Sequence, residues 1–499
     1  MSNHLFDALL AARSLAEGQL FVENGKCVLS DASFFDLSAR LSSVLLTADV
    51  SPGDRVAVQV DKSIEALALY LACLRVGAVF LPLNTAYTQS ELQYFIDDAT
   101  PQVFVVDPGN ESMAHQLLDP ARVLSLSAKG QGSLAEAAAS APAMQHVVPR
   151  VAADLAAILY TSGTTGRSKG AMLTHDNLLS NSLTLVDYWG FSDDDVLLHA
   201  LPIFHTHGLF VASNVMLLCG GSMIFQSKFS LDDVLRELPH ATSMMGVPTF
   251  YTRLLADERF TQPLVSHMRL FISGSAPLLA ETHHEFEART GQRILERYGM
   301  TETNMNTSNP YIGKRIAGTV GKPLPGVSVR ICDQQTHKPL LTGEVGVLHV
   351  KGPNVFSGYW QMPEKTAEEL LPDGFFITGD LATIDDEGYV TIVGRSKDLI
   401  ISGGYNIYPK EIELLIDEQA GVVESAVVGV PHADFGEAVV AIVVAVTDTP
   451  AVPDASMIIS ALEGKLARFK LPRRVEFVEE LPRNTMGKVQ KNVLREKFS

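Results

Sequence analysis

Cysteine is scarce: four occur in 499 residues, at positions 27, 73, 219 and 332, with no CxxC pair and no metal-ligand spacing. That pattern excludes a disulfide framework and a cysteine-built zinc site. Positive charge is short as well, 39 Lys and Arg against 57 Asp and Glu for a net charge of −18, so a nucleic-acid partner, which needs a basic face, is not expected. Long apolar runs are missing too. The most apolar window, residues 64–83, is interrupted by Glu65, Arg75 and Pro82 and reads as a buried helix and a strand rather than a membrane span. The opening MSNHLFDALL has no basic n-region leading into an apolar stretch, so no secretory signal is evident. These absences together suit a reducing cytoplasm without a membrane partner. One local exception stands out: from Lys465 to Ser499 there are ten Lys or Arg against four Glu, a basic segment suited to meeting anionic phosphates.

What is present is ordinary globular material, 46% apolar and 19% charged, in a chain too long for one core. Residues 19–29 alternate around Asn24-Gly25, a hairpin signal. Helices then alternate with strands: helix 34–45, strand 54–60, helix 64–75, strand 78–81, a helix opened by a Thr88/Glu91 capping box, and strand 102–106. Such alternation predicts parallel pairing in a doubly wound sheet. Residues 129–144, rich in Gly, Ala and Ser, read as a mobile connection with one short helix. A second alternating set has strands at 196–199, 223–225, 243–246 and 269–273, and short strands with tight turns follow over 318–393. The last hundred residues read as helix 409–417, strands 422–430 and 438–446, helix 454–467 and strand 475–477. The expected class is therefore α/β. A large N-terminal part, residues 1–396, holds two doubly wound subdomains and a small β-rich one, and residues 397–499 form a small, mobile α+β domain.

Residues 160–170, YTSGTTGRSKG, follow the apolar run 155–159 and pack two Ser, three Thr, three Gly, an Arg and a Lys into eleven positions. Glycine lets successive N–H groups converge on an anion, and hydroxyls and Lys169 add donors and charge. It is not a Walker A loop, because that spacing needs Gly at 168 and Ser or Thr at 170, where Ser168 and Gly170 stand. The string resembles the phosphate-binding signature of the adenylate-forming enzymes, the family of acyl-coenzyme A synthetases, luciferases and nonribosomal peptide adenylation domains. The resemblance implies that Thr161, Ser162, Gly163, Thr164, Thr165 and Lys169 hold the nucleotide's phosphates.

Further motifs of the family follow in order. LPIFHTHG at 201–208 resembles its substrate-side loop, with His207 at the functional histidine. His205 and His207 alternate, but no carboxylate or Cys stands nearby at ligand spacing, so a metal role there is not expected. GSAP, Gly274, Ser275, Ala276 and Pro277, is similar to the adenine-pocket segment. YGMTE comprises Tyr298, Gly299, Met300, Thr301 and Glu302. It resembles the motif whose ring packs on adenine, whose Thr touches the α-phosphate and whose Glu holds Mg²⁺, with Thr165 as a second metal-side residue. A flat base suits an aromatic face, and Mg²⁺ wants hard oxygens. TGD at 378–380 and GRSKD at 394–398 resemble the ribose site, which implies Asp380 and Arg395 on the sugar hydroxyls, with Lys397 at the hinge. In SGGYNIYPKEIE, Gly403 and Gly404 match the glycines beside the pantetheine channel, and PRNTMGKVQK puts Lys488 at the catalytic lysine.

The resemblance implies that a substrate carboxylate attacks the α-phosphate of MgATP, giving an acyl-adenylate and pyrophosphate, after which the coenzyme A thiol displaces AMP. Positioning and charge neutralisation would carry that chemistry. ATP, Mg²⁺, coenzyme A and a small-molecule carboxylate are the expected ligands, and a protein lysine acetyltransferase acting on Lys488 is an expected regulatory partner. A short-chain or aryl acyl-CoA synthetase, or an adenylation enzyme loading a carrier protein, stays open, as does a noncatalytic nucleotide binder. No carrier motif follows Ser499, which favours free coenzyme A. In GVPTFYTRLL, residues 246–255, Val247, Tyr251, Leu254 and Leu255 fall at helical spacing and leave Arg253 at the edge of a buried face. With LPIFHTHG and ERYGMTETNM this wording resembles the malonyl-coenzyme A synthetases. That implies malonate or methylmalonate as the acid, Arg253 on its distal carboxylate, His207 assisting, and Met300 and Met305 limiting pocket depth.

Overall fold

The computed structural model describes residues 2–161, 168–402, 405–432, 435–446, 453–463, 465–484 and 488–499, with backbone only at 406. Two large α/β sheets form its first part. The six-stranded one runs in the order Val123–Ser125, Val103–Val106, Arg55–Gln59, Val79–Pro82, Leu155–Thr161, Lys169–Thr174. Its first five strands pair in parallel, as the alternation predicts, and the last is antiparallel to its neighbour with Thr161 opposite Lys169. The string at 160–170 therefore joins two antiparallel strands, a departure from strictly parallel pairing. The helix Ile64–Val76, capped by Ser63 and ended by Gly77 at φ 76°, is buried almost throughout, which explains its continuous apolar run. The Thr88/Glu91 capping box forms as expected at the start of Gln89–Ala99.

The nine-stranded sheet is centred on parallel strands Val196–His199, Ser243–Gly246, Leu270–Ser273 and Leu295–Met300. Its far edge is the hairpin Gln19–Glu23 and Lys26–Ser30, which pairs with Ser222–Phe225 about two hundred residues downstream rather than with the six-stranded sheet beside it in sequence. Alternation marks a hairpin, but nothing local to it says which sheet it joins. Four antiparallel strands, Ser328–Cys332, Gly346–Lys351, Phe376–Ile384 and Val390–Arg395, make the small β-rich unit.

From Ile400 onward the strands form a separate five-stranded sheet. In Val422–His432 the odd residue Val427 packs with Ile400, Ile412, Ile416 and Ile458, while the even residues Ala426, Val428 and Val430 pack with Leu481 and Leu494. The period of two therefore places an apolar layer on each face. The helix expected at 454–467 ends earlier, at Leu462. Among the described residues no helix is long and apolar enough to cross a membrane.

Candidate active site

The site is assembled where three segments meet beside Thr161 and Lys169, which stand opposite each other across an antiparallel pair. The strand Lys169–Thr174 exchanges backbone hydrogen bonds with 357–360: Met172 N–H donates to Gly358 O and Trp360 N–H to Gly170 O. This docks Tyr359 and the following helix Pro363–Glu369 against Lys169. The lysine is 8% exposed; its ammonium lies 3.1 Å from both Glu369 oxygens and 4.1 Å from the centre of the Tyr359 ring. Tyr359 hydroxyl reaches Glu369 at 2.6 Å and Glu302 at 3.2 Å, and Thr161 hydroxyl donates to the same Glu302 oxygen at 3.2 Å. Thr161, Lys169 and Glu302 are thus brought together as the motif order implies, and Tyr359 and Glu369 join them. Glu302 is buried, and burial raises the pKa of its carboxyl. A buried carboxylate among hydroxyl oxygens suits Mg²⁺, which takes hard oxygen ligands and would offset that burial.

Glu302 lies in the turn between the antiparallel strands Leu295–Met300 and Asn304–Ser308. Gly299 is required there, because a Cβ would stand 1.9 Å from Asn304 O. Thr301 is half-buried in the turn. Asn304 Oδ1 accepts from Thr206 hydroxyl at 2.9 Å, tying the turn to the loop that carries His205 and His207. His207–Ser213 is a short π-helix, a local widening of the helix frequent at functional sites. His207 is fully buried and its Nδ1 lies 3.1 Å from Ser275 hydroxyl. Ser275 holds φ 70°, a strained conformation for a non-glycine residue. Burial, then the nearby Arg297, holds His207 well below the usual imidazole range, so it acts as a neutral ring. His207 Nε2 is buried and has no hydrogen-bond partner among the described residues. His205 is lowered to about 4 by burial, Arg297 and Lys488, and among the described residues no group of three or more His, Cys, Asp or Glu gathers around a metal position.

Tyr298 hydroxyl donates to Asp380 at 2.5 Å, and Asp380 pairs with Arg395 Nε at 2.6 Å across the strands Phe376–Ile384 and Val390–Arg395. The two residues expected on the ribose therefore face one another beside the aromatic ring. Asp380 holds the Arg395 pKa above its ordinary value. Lys488, from the C-terminal part, stands in the same cleft within electrostatic reach of Arg395, Asp380 and His205. Its side chain is open to water, so the guanidinium of Arg395, more than burial, lowers its pKa to about 8. Lys397 is exposed in the turn Ser396–Asp398, where Arg495 pairs with Asp398 at 2.5 Å. Gly274, Ala276 and Pro277, expected on the adenine side, flank Ser275. Arg253 is exposed on the helix Pro248–Leu255, its guanidinium 5.9 Å from the Phe229 ring, which stacks on Phe250. Met305 is buried and Met300 half-buried. Ser162, Gly163, Thr164, Thr165, Gly403 and Gly404 lie outside the described residues.

The letters G-x-S-x-G do occur, at 166–170, but Ser168 precedes the antiparallel strand Lys169–Thr174 rather than a helix. The strand-to-helix elbow of a serine hydrolase is not formed. Glu369, Tyr359 and Arg297 were not singled out by motif; ERYGMTETNM contains Arg297, but only burial shows that it faces inward.

A threonine hydroxyl and a lysine paired across two strands, a buried carboxylate, an acid–arginine pair beside an aromatic ring and a lysine delivered from the C-terminal domain define an adenylate-forming acid–thiol ligase, which works with ATP, Mg²⁺ and coenzyme A. The model for AMP-binding enzyme matches residues 17–360 and that for the AMP-binding enzyme C-terminal domain matches 411–488, and the chain belongs to this family. The crystal structure of ATP-bound MatB from Rhodopseudomonas palustris is 57% identical, covers 100% of this chain and 99% of its own, and superposes with a TM-score of 0.96. The malonate–CoA ligase of Arabidopsis thaliana is 36% identical over 476 residues, 89% of this chain and 78% of its own. A feruloyl-CoA synthase of Amycolatopsis sp is 36% identical over 483 residues, 96% and 95% of the two chains.

Proposed function

We propose that this acyl-CoA ligase activates a short dicarboxylic acid, malonate with methylmalonate as the second candidate. The observation that carries the choice is Arg253. Its guanidinium lies over an aromatic pair, and among the described residues no carboxylate pairs with it. A cation of this kind next to the acyl-side segment suits an acid whose second carboxylate needs a partner. The similarity to MatB and to a malonate–CoA ligase supports the same reading, whereas the feruloyl-CoA synthase, equally similar in sequence, keeps aryl acids in the assay panel.

In the first half-reaction one oxygen of the acid's near carboxylate attacks the α-phosphorus while the bond to pyrophosphate breaks. Lys169 and residues 161–165 hold the departing phosphates, Thr301 and Lys488 stabilise charge at the α-phosphate, and Asp380 and Arg395 exchange their mutual contact for the ribose hydroxyls. Mg²⁺, held through Glu302 and Thr165, neutralises phosphate charge when bound. Neutral His207 contributes a hydrogen bond to the acid rather than a charge. In the second half-reaction the thiolate attacks the acyl carbonyl, passing Gly403 and Gly404, and AMP leaves. Residues 1–396 hold both substrates, 397–499 turn about Lys397 between the two steps, and acetylation of Lys488 in the cytoplasm silences the first by removing its charge. Pyrophosphate release across malonate, methylmalonate, acetate, a fatty acid and ferulate tests the substrate. Preference for any monocarboxylate over both dicarboxylates would refute it.

A further inference from the structure

Lys62 stands between the strand Arg55–Gln59 of the six-stranded sheet and the helix Ile64–Val76, yet its side chain ends against His199, the last residue of the strand Val196–His199 in the nine-stranded sheet. It is 6% exposed, and among the described residues no carboxylate pairs with it. Its Nζ lies 2.6 Å from His199 O and 2.9 Å from His199 Nδ1, with the centre of the Phe225 ring at 4.0 Å. Burial holds the amine well below the ordinary lysine range. A buried lysine without a counterion costs stability that an apolar side chain would not, so its presence calls for a use beyond packing.

That use lies on the other side of the His199 ring. Its Nε2 is 2.9 Å from Gly208 O and 3.2 Å from Ser213 Oγ, and the Ser213 hydroxyl donates to the same Gly208 O at 2.9 Å. A carbonyl can only accept, so Nε2 carries the proton, and the ring, fully buried and beside Lys62, is held neutral. Nδ1 is therefore a bare acceptor, and Lys62 supplies its donor. Gly208 follows His207 directly in the π-helix His207–Ser213, and a Cβ on it would stand 2.0 Å from Pro202 O, so this carbonyl is held in a turn with little room to move. The helix that follows Lys62 braces the same π-helix further on, the Tyr70 and Phe210 ring centres lying 5.8 Å apart.

We propose that Lys62 is a positioning residue for the acid: by fixing the tautomer of His199 it keeps Nε2–H on Gly208 O, and the π-helix held in this way sets where His207 stands. Without Lys62 the Nδ1 acceptor is left buried and unpaired, and His199 turns or changes tautomer to satisfy it, releasing Gly208 O. A π-helix that relaxes to α by one residue rotates His207 by about 100° relative to the helix that follows, away from Ser275. The proposal rests on the reading of His207 as a hydrogen-bond partner of the acid. Lys62 acts through His199 and Gly208 rather than on the acid itself.

The experiment measures kcat and KM for ATP and for the acid the wild type uses best, malonate on the reading above, in the wild type, K62M, H207A and K62M/H207A. S213A and S213A/H207A stand beside them, and the rise in melting temperature on adding MgATP reports a folded nucleotide site. Methionine keeps the apolar stem of Lys62 and removes its donors. K62M should raise KM for the acid about tenfold, the worth of one hydrogen bond, with kcat and KM for ATP within about twofold of wild type. Added to H207A, the same substitution should change KM for the acid by less than about twofold, because the group it positions is gone. S213A removes the other side-chain donor to Gly208 O; it should act in the same direction and with the same dependence on His207, and it carries the test if K62M does not fold. A folded K62M, or S213A in its place, overturns the proposal if KM for the acid stays at the wild-type value, if KM for acid and ATP rise alike, or if the full effect persists in the H207A background, and each of these leaves the role of His207 intact. H207A with the wild-type KM for the acid overturns both.

Discussion

Lys169 is held between Glu369 and the face of Tyr359, so in the proposed function the phosphates of ATP must compete with a carboxylate for one ammonium. Truncating it removes charge from the site but little from the core, because Glu369 keeps Lys365 at 3.1 Å and the Tyr359 hydroxyl. We expect Lys169→Ala and Glu302→Gln each to slow pyrophosphate release about a hundredfold at saturating MgATP, with melting temperatures close to wild type. Normal release by both variants would contradict their assignment. These two residues were legible because each sits inside a contiguous string whose chemistry can be read from its neighbours. Glu369 was not: it lies 200 positions from Lys169 and reaches it only through the pairing of 169–174 with 357–360. Arg297 was in view within a quoted string, yet its burial, and with it its effect on His207, is not revealed by spacing.

The turn joining Leu295–Met300 to Asn304–Ser308 decides where Thr301 and Glu302 stand, and its tightness depends on Gly299. Gly299→Ala should push the strands apart and cost about 1–3 kcal/mol of stability, together with a loss of adenylate formation larger than the loss of MgATP binding. Denaturant unfolding and pyrophosphate exchange check this, and an alanine variant with unchanged midpoint and rate would show the turn to be slack. Signals of this local kind were read well: the Asn24-Gly25 hairpin and the Thr88 capping box both form. Long-range pairing was not readable in the same way, since Gln19–Glu23 joins the nine-stranded sheet through Ser222–Phe225. The π-helix at His207–Ser213 and the positive φ of Ser275 likewise arise from tertiary packing around the acid-side loop rather than from local propensity.

Across the whole molecule, the C-terminal part brings Lys488 to Arg395 and Asp380, and the charge of Arg395 lowers the lysine to about 8. The protonated form, which in the proposed function stabilises the α-phosphate, is present below that value and lost above it. For the free enzyme, kcat/KM for ATP in adenylate formation should therefore fall as pH rises through about 8, and Lys488→Arg should move that limb upward, arginine staying charged. A profile flat to pH 10 in the wild type would show that the charge is not used. Lys488→Ala should nearly abolish the first half-reaction while leaving thioester formation from supplied acyl-adenylate largely intact, because in the proposed function the lysine serves only the first step. The central claim joins this machinery to one class of acid, and the most direct measurement is the mass of the coenzyme A thioester formed when the enzyme receives equal concentrations of malonate, methylmalonate, acetate, a fatty acid and ferulate with MgATP. The account predicts malonyl-CoA as the main product, with AMP and pyrophosphate released in equal amount; a predominant monocarboxylate thioester, or no thioester at all, would contradict it.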